Sequence, residues 1–163
     1  MIRRIILFGD THGLPMLLHA LPCEMVCGIV AAEIRPQYHE ELQKLAEEKG
    51  IPFAIQPLSK SPDYPNFVQW VRELSPQLLW VNSYSMKLRE EILRIPEAGA
   101  LNIHGALLPY YRGCNPTQWA ILRDESATGV TLHEVTAGID EGPIIARKEV
   151  PLLFEDTWKD VQD

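Results

Sequence analysis

The sequence predicts an α/β fold: one domain built on a doubly wound, mostly parallel sheet. Three observations carry that reading. Short apolar runs, such as Ile5 to Phe8 and the stretch Glu24 to Ala32, recur along the chain. Between them, apolar residues return at helical spacing, as Leu42, Leu45 and Ala46 do. Glycine and proline punctuate the joins, and strands that alternate with helices pair in parallel through helical crossovers. With 163 residues, 46% of them apolar, there is material for a single sizeable core.

Taken in order, Ile2 to Gly9 reads as a first buried strand and Leu14 to Leu21 as a short helix. The turn Gly-Asp-Thr-His-Gly between them lacks the G-x-G-x-x-G spacing, which weakens a nicotinamide or flavin reading. Glu24 to Ala32 is the second strand. Gln37 to Lys49 is a helix charged on one side, closed by Gly50 and Pro52. Ile51 to Ile55 forms a brief strand. Phe67, Val71 and Leu74 set the spacing of a helix from about Pro65 to Leu74, stopped at Ser75-Pro76. Gln77 to Val81 and Gly99 to Ile103 are further strands. Asn115, Pro116 and Gln118 read as cap, first-turn proline and capping-box partner of a helix through Arg123. Gly129 to Val135 and Pro143 to Val150 complete the set as antiparallel or mixed-edge strands. Phe154 to Asp163 reads as a loop and an opened helix of barely two turns, the ending expected of a truncated domain.

Bulk properties exclude several classes. No run approaches the roughly 18 apolar residues of a membrane span, and Ile5 to Phe8 is too short for a secretory signal core. Cys23, Cys27 and Cys114 are odd in number and lack paired zinc spacing. Reduced thiols in a cytoplasmic protein without a metal are therefore expected. A formal net charge of −7 argues against a broad electrostatic grip on nucleic acid.

The chemistry concentrates between Leu101 and Pro151. Asn102 and His104 sit two apart at the end of an apolar run, so strand alternation puts both side chains on one face. In a doubly wound sheet, ligands bind at the carboxyl ends of strands, where this pair falls. Asp140 follows in a Gly-flanked loop. Amide, imidazole and carboxylate together equip a site for acyl transfer to an amine. Each residue also has a plainer reading. Asn-X-His can cap a loop, Asp140-Glu141-Gly142 can be turn chemistry, and His133 in Val-Thr-Leu-His-Glu-Val can be solvated or structurally satisfied.

In combination and order, Asn102, His104, Leu107-Leu108-Pro109, Tyr111-Arg112-Gly113, Thr128-Gly129-Val130-Thr131 and Asp140 resemble the formyltransferases that use 10-formyltetrahydrofolate. That family includes methionyl-tRNA, glycinamide ribonucleotide and sugar N-formyltransferases, and it implies a Rossmann-like catalytic domain over residues 1–163. Gly105-Ala106 departs from it where members often carry a serine; a backbone role survives that change and a hydroxyl role does not. The resemblance implies that Asn102, His104 and Asp140 are catalytic. Asn102 would donate to the developing oxyanion. His104 would stabilise the same oxygen if protonated, or handle the amine proton if neutral. Asp140 would orient or charge-stabilise His104, or bind a relaying water. One folate wall is expected from Ser85, Met86, Lys87 and Leu88, and the other from Thr136, Ala137, Gly138, Ile139 and Asp140. Met86 and Leu88 are equally plausible as core residues. Asp10 and His12 lie in the turn that the family places near the acceptor, although an ordinary turn accounts for them as well. Tyr111 and Arg112 are candidates for an acceptor phosphate, with a structural arginine bracing the Leu-Leu-Pro loop as the competing account.

The stretch from Asn102 to Ala120 is most similar to enzymes that formylate amino sugars on nucleotide carriers, which makes such a sugar the expected acceptor. Initiator tRNA is disfavoured by the acidic balance, and glycinamide ribonucleotide by Gly-Ala in place of Pro-Ser before Leu-Leu-Pro. Two other classes stay open: a folate-binding domain without turnover, and a generic nucleotide-binding domain. The intact polar set speaks against the first and the missing glycine fingerprint against the second.

Overall fold

The computed structural model describes residues 2–10 and 13–162, the Gln162 side chain excepted. His12, one of the two turn residues expected near the acceptor, lies outside the described residues. Two compact units make up the chain, residues 1–101 and 102–163.

In the first unit β1 (Ile5–Phe8), β2 (Val26–Ala32), β3 (Phe53–Gln56) and β4 (Leu78–Asn82) run in the order β3-β2-β1-β4. Every described pairing among them is parallel, with Leu7 against Ile29 and against Trp80. All four residues of β1 are at most 2% exposed. A strand covered on both faces needs apolar side chains at every position, which is why β1 reads as a run and does not alternate. Helices α1 (Gly13–Ala20), α2 (His39–Glu48) and α3 (Tyr64–Glu73) follow β1, β2 and β3 in the expected places. Of the residues that set the helical spacing, Leu42, Ala46, Phe67 and Val71 are buried and Leu45 and Leu74 half-buried, and Val68 joins the buried stripe of α3. A four-residue helix α4 (Glu90–Leu93) was not foreseen, since one turn is too short for a periodic signal.

Asp10, expected near the acceptor, proves to be a structural bracket. It is fully buried, and its two oxygens accept from the backbone N–H of Ala32 and of Ser85, both at 2.7 Å. Those bonds tie the end of β2 to the segment after β4. Both carboxyl oxygens are thus engaged by backbone N–H groups, and the side chain has no exposed surface.

β5 (Ala100–His104) crosses the boundary between the units. The second unit continues with α5 (Pro116–Leu122), β6 (Ala127–Glu134), β7 (Ile144–Pro151) and α6 (Trp158–Gln162). Strands β6 and β7 pair antiparallel, Thr131 facing Arg147, with a bulge between Leu132 and His133. A Cβ at Gly129 would stand 2.1 Å from the Lys148 carbonyl oxygen, so only glycine allows that close pairing. Pro116 occupies the first turn of α5 as expected, but Asn115 makes no side-chain cap. Its backbone is left-handed (φ 54), not the extended conformation that aims a capping oxygen at the helix. Among the described residues no helix is long and apolar enough to cross a membrane, and no His, Cys, Asp and Glu cluster could hold a metal ion.

Candidate active site

Alternation along β5 leaves Asn102 half-buried and His104 7% exposed. The loop after β5 carries Leu107, Leu108 and Pro109, the last joined by a cis peptide bond. Thr131 of β6 holds this loop from below. Its hydroxyl donates to the Ala106 carbonyl at 2.6 Å and accepts from the Leu108 N–H at 3.0 Å. Arg147 of β7 donates to the Leu108 carbonyl at 2.9 Å. The arginine that braces the Leu-Leu-Pro loop is therefore Arg147, not Arg112, which is exposed. Since Ala106 contributes its backbone oxygen, alanine serves where a serine is frequent.

Asp140, in a left-handed backbone conformation (φ 50), brings its carboxylate among the polar groups of β5 and β6. Oδ2 accepts from the Gly113 N–H at 2.8 Å and lies 3.3 Å from His104 Nδ1. Oδ1 accepts from Asn102 Nδ2 at 3.3 Å and lies 3.5 Å from His133 Nε2. Amide, imidazole and carboxylate thus meet, as their pattern in the sequence implied. Burial pushes the Asp140 carboxyl upward. The His133 contact, the Gly113 N–H and the nearby charges of His104 and His133 outweigh it, and the carboxyl is held below its ordinary value.

His104 Nε2 donates to the Tyr111 carbonyl at 2.8 Å. A carbonyl only accepts, so Nε2 carries a hydrogen, and Nδ1 then attracts Asp140 when it carries one too. This is the geometry of an imidazolium facing a carboxylate. Tyr111 also has a left-handed backbone (φ 55), so the contact to His104 rests on a sparsely populated conformation.

His133, read as solvated or structurally satisfied, is the residue whose part the sequence did not reveal. It is 2% exposed, which rules out solvation. Its Nδ1 donates to the Glu134 carbonyl at 2.8 Å, and Nε2 lies 3.0 Å from Asn102 Nδ2 and 3.5 Å from Asp140 Oδ1. The ring stands nearly perpendicular to that of His104, centroids 6.4 Å apart. A polar residue on the inward phase of β6, two after Thr131, was the available signal.

The expected folate walls divide. Ser85 donates its N–H to Asp10, its hydroxyl accepts from Arg35, and Leu88 belongs to the core at 5% exposure. Met86 is half-buried and Lys87 exposed. From Thr136 to Ile139 the chain is more open: Ala137 is exposed and Ile139 is 50% exposed. Thr136 Oγ1 is buried without a hydrogen-bond partner among the described residues. The exposed apolar side chains of Ala137 and Ile139 suit the face of a flat heterocycle. A further cavity of about 410 Å³ is lined by Tyr110, Tyr111, Arg112, Trp119, Arg123 and Glu125. There the Arg123 guanidinium lies over the rings of both Tyr111 (5.6 Å) and Trp119 (5.8 Å).

Known proteins bear on this arrangement. A family model described as formyl transferase matches residues 4–163. The chain is 40% identical over 116 residues to a methionyl-tRNA formyltransferase of Thermodesulfovibrio yellowstonii, covering 71% of this chain and 37% of that protein. It is 40% identical over 93 residues to the bifunctional polymyxin resistance protein ArnA of Wigglesworthia glossinidia brevipalpis, covering 57% of this chain and 14% of that one. It therefore spans less than half the length of these relatives. The solved phosphoribosylglycinamide formyltransferase of Streptococcus pneumoniae superposes with a TM-score of 0.82 at 24% identity, over 98% of this chain and 88% of that one, and so shares the fold. With a match over almost its whole length, this chain belongs to the formyl transferase family.

Proposed function

We propose that this chain transfers a formyl group from 10-formyltetrahydrofolate to the primary amine of a nucleotide-linked amino sugar. The observation that carries the reaction is the convergence of Asn102, His104 and Asp140 within hydrogen-bond or ion-pair distance. When bound, the folate supplies a formyl carbon open to attack by a neutral amine. Thr136 to Ile139 would hold its ring system, with the exposed Ala137 and Ile139 side chains against it. The His104 Nε2–H stabilises the oxygen that gains negative charge as the amine attacks, and the Tyr111 carbonyl holds that hydrogen until the oxygen competes for it. Asp140 is the counter-ion of His104 and, held ionised, is placed to receive the proton that the amine loses; that proton passes to the folate nitrogen as its bond to the formyl carbon breaks.

The acceptor reading draws on the aromatic and arginine cavity. Two guanidinium groups match phosphate oxygens, and the rings of Tyr110, Tyr111 and Trp119 suit stacking of a planar base. A second reading, charged initiator tRNA, draws on the methionyl-tRNA formyltransferase relative at 40% identity. The experiment is a panel of nucleotide-linked amino sugars and charged initiator tRNA, each offered with 10-formyltetrahydrofolate. Formylation of a sugar amine is expected. Formylation of tRNA alone would replace the acceptor reading, and formylation of nothing would remove the reaction itself. His104→Ala should lower turnover on the accepted substrate about 10³-fold or more while folate binding persists, because the ring acts on the transition state.

A further inference from the structure

We infer that Gln56 is a positioning residue for the folate donor: its buried amide tethers the segment after β4 at two points. The inference rests on the formyl-transfer reading above, by which Ser85 to Leu88 bear on the folate. Between β4, which ends at Asn82, and α4, which starts at Glu90, the chain is neither helix nor strand. It sets out from Ser83 in a left-handed conformation (φ 52). A stretch without ladder or helical bonds keeps one shape only if other groups hold its backbone.

Three strand ends supply those groups. Asp10, after β1, accepts from the Ser85 N–H at 2.7 Å. Arg35, beyond β2, donates to the Ser85 hydroxyl at 2.9 Å. Gln56, the last residue of β3, is 1% exposed and makes two bonds. Its Nε2 donates to the Lys87 carbonyl at 3.1 Å, and its Oε1 accepts from the Tyr84 hydroxyl at 2.9 Å. The partners fix the amide's orientation. A carbonyl only accepts, so the nitrogen must face Lys87 and the oxygen is left for the hydroxyl. Burial pushes the Tyr84 hydroxyl well above its ordinary value of 10.0, and the Asp10 carboxylate adds to the shift, so the hydroxyl keeps the hydrogen it donates.

Asp10 and Arg35 both act at Ser85. Of the three, Gln56 is the one that spans the segment, joining residues 84 and 87 on either side of Ser85 and Met86. Both ends of the tether are rigid. The Tyr84 ring stands edge-on to Phe8 of β1, centroids 5.4 Å apart. The Gln56 backbone pairs with Ala32 of β2, and its carbonyl accepts from the Glu33 N–H at 3.1 Å. Packing alone would ask for an apolar side chain at so buried a position. The amide instead serves the shape of a segment whose Ser85 and Lys87 are exposed. A ligand-bearing segment held in shape beforehand loses less freedom on binding, which strengthens the complex.

The test is a titration of the full chain with 5-formyltetrahydrofolate, a stable isomer of the donor, beside kinetics with 10-formyltetrahydrofolate. Gln56→Met keeps length and volume but makes neither bond. It should weaken folate binding about tenfold and raise the folate KM to match, with kcat within about threefold. That split is expected because a preformed segment holds ground state and transition state alike. Tyr84→Phe removes one bond and should weaken binding about threefold. In the Gln56→Met background it should cost less than about 1.5-fold more, because both act through one amide. The Ser85 N–H should exchange with deuterium about tenfold faster in Gln56→Met. Val71→Ala, at a fully buried position of α3, lowers stability elsewhere and should leave folate binding within about twofold.

Variants that bind folate as tightly as wild type, additive losses, or an equal loss of binding in Val71→Ala would each overturn the proposal. If Gln56→Met does not fold, binding by Tyr84→Phe decides it in the same way. Wild-type protein that binds no folate defeats the formyl-transfer reading and this proposal with it. Wild type that binds, with both tether variants binding equally well, defeats this proposal alone.

Discussion

Asp140 is where opposing effects can be weighed on one atom pair. Partial burial alone would favour the neutral acid, yet the carboxyl is held below its ordinary value of 3.8 by donors and positive charge around it. The sign of the linkage follows. A carboxyl lowered on folding contributes stability that is fully present above its unfolded value and is lost as pH falls through the folded one. Asp140→Asn removes that titration. The difference in urea midpoint between wild type and Asp140→Asn should stay constant above about pH 5 and shrink below about pH 4. A difference that does not move with pH would mean that the two histidines and Gly113 do not favour the ionised form. The variant should also turn over more slowly, since His104 loses its counter-ion; unchanged kinetics would take Asp140 out of the chemistry. Asn102, His104 and Asp140 were legible from their order and types along the chain. His133 was not, because alternation shows which phase a residue occupies but not which groups the chain folds against it.

The elements of the second unit matter for what they hold still. Thr131 is fully buried, and its hydroxyl satisfies one donor and one acceptor of the loop that leaves β5. Both partners are buried too, Ala106 at 0% and Leu108 at 1% exposure. Thr131→Val keeps the shape and strands a carbonyl and an N–H, each costing about 1–3 kcal/mol. A loss of about 2–6 kcal/mol is expected, read as a lower urea midpoint with an unchanged slope. An unchanged midpoint would mean that water takes over both bonds. This clamp shows what the sequence could and could not convey about elements. β5, β6 and β7 were read from apolar periodicity, which reports burial along one segment. The clamp, the Arg147 brace and the bulge at His133 depend on register between segments, which periodicity does not carry. Asn115 failed as a cap for a related reason. Residue type favours a cap, but the loop sets its backbone left-handed, and a local preference gave way to the path of the chain.

At the scale of the whole molecule, the α/β class was readable because a parallel sheet covered on both faces must be written in continuous apolar runs, and β1 is one. Charge is the other whole-molecule property, and it bears on the proposed acceptor. These 163 residues carry a formal net charge of −7. A nucleic acid bound through many phosphates releases counterions. Six to ten such contacts lower affinity by roughly 10³- to 10⁵-fold between 50 and 200 mM salt. A nucleotide-linked sugar brings about two phosphates and has little such leverage, so the same change in salt should raise its KM roughly tenfold or less. The proposed reaction therefore predicts a shallow dependence of kcat/KM on salt, with kcat itself nearly flat. The measurement is initial rate against acceptor concentration at several salt concentrations, folate donor saturating. A steep fall, parallel for sugar and tRNA acceptors, would show that a basic surface is in use despite the acidic balance. That outcome would move the assignment toward a polyanionic partner.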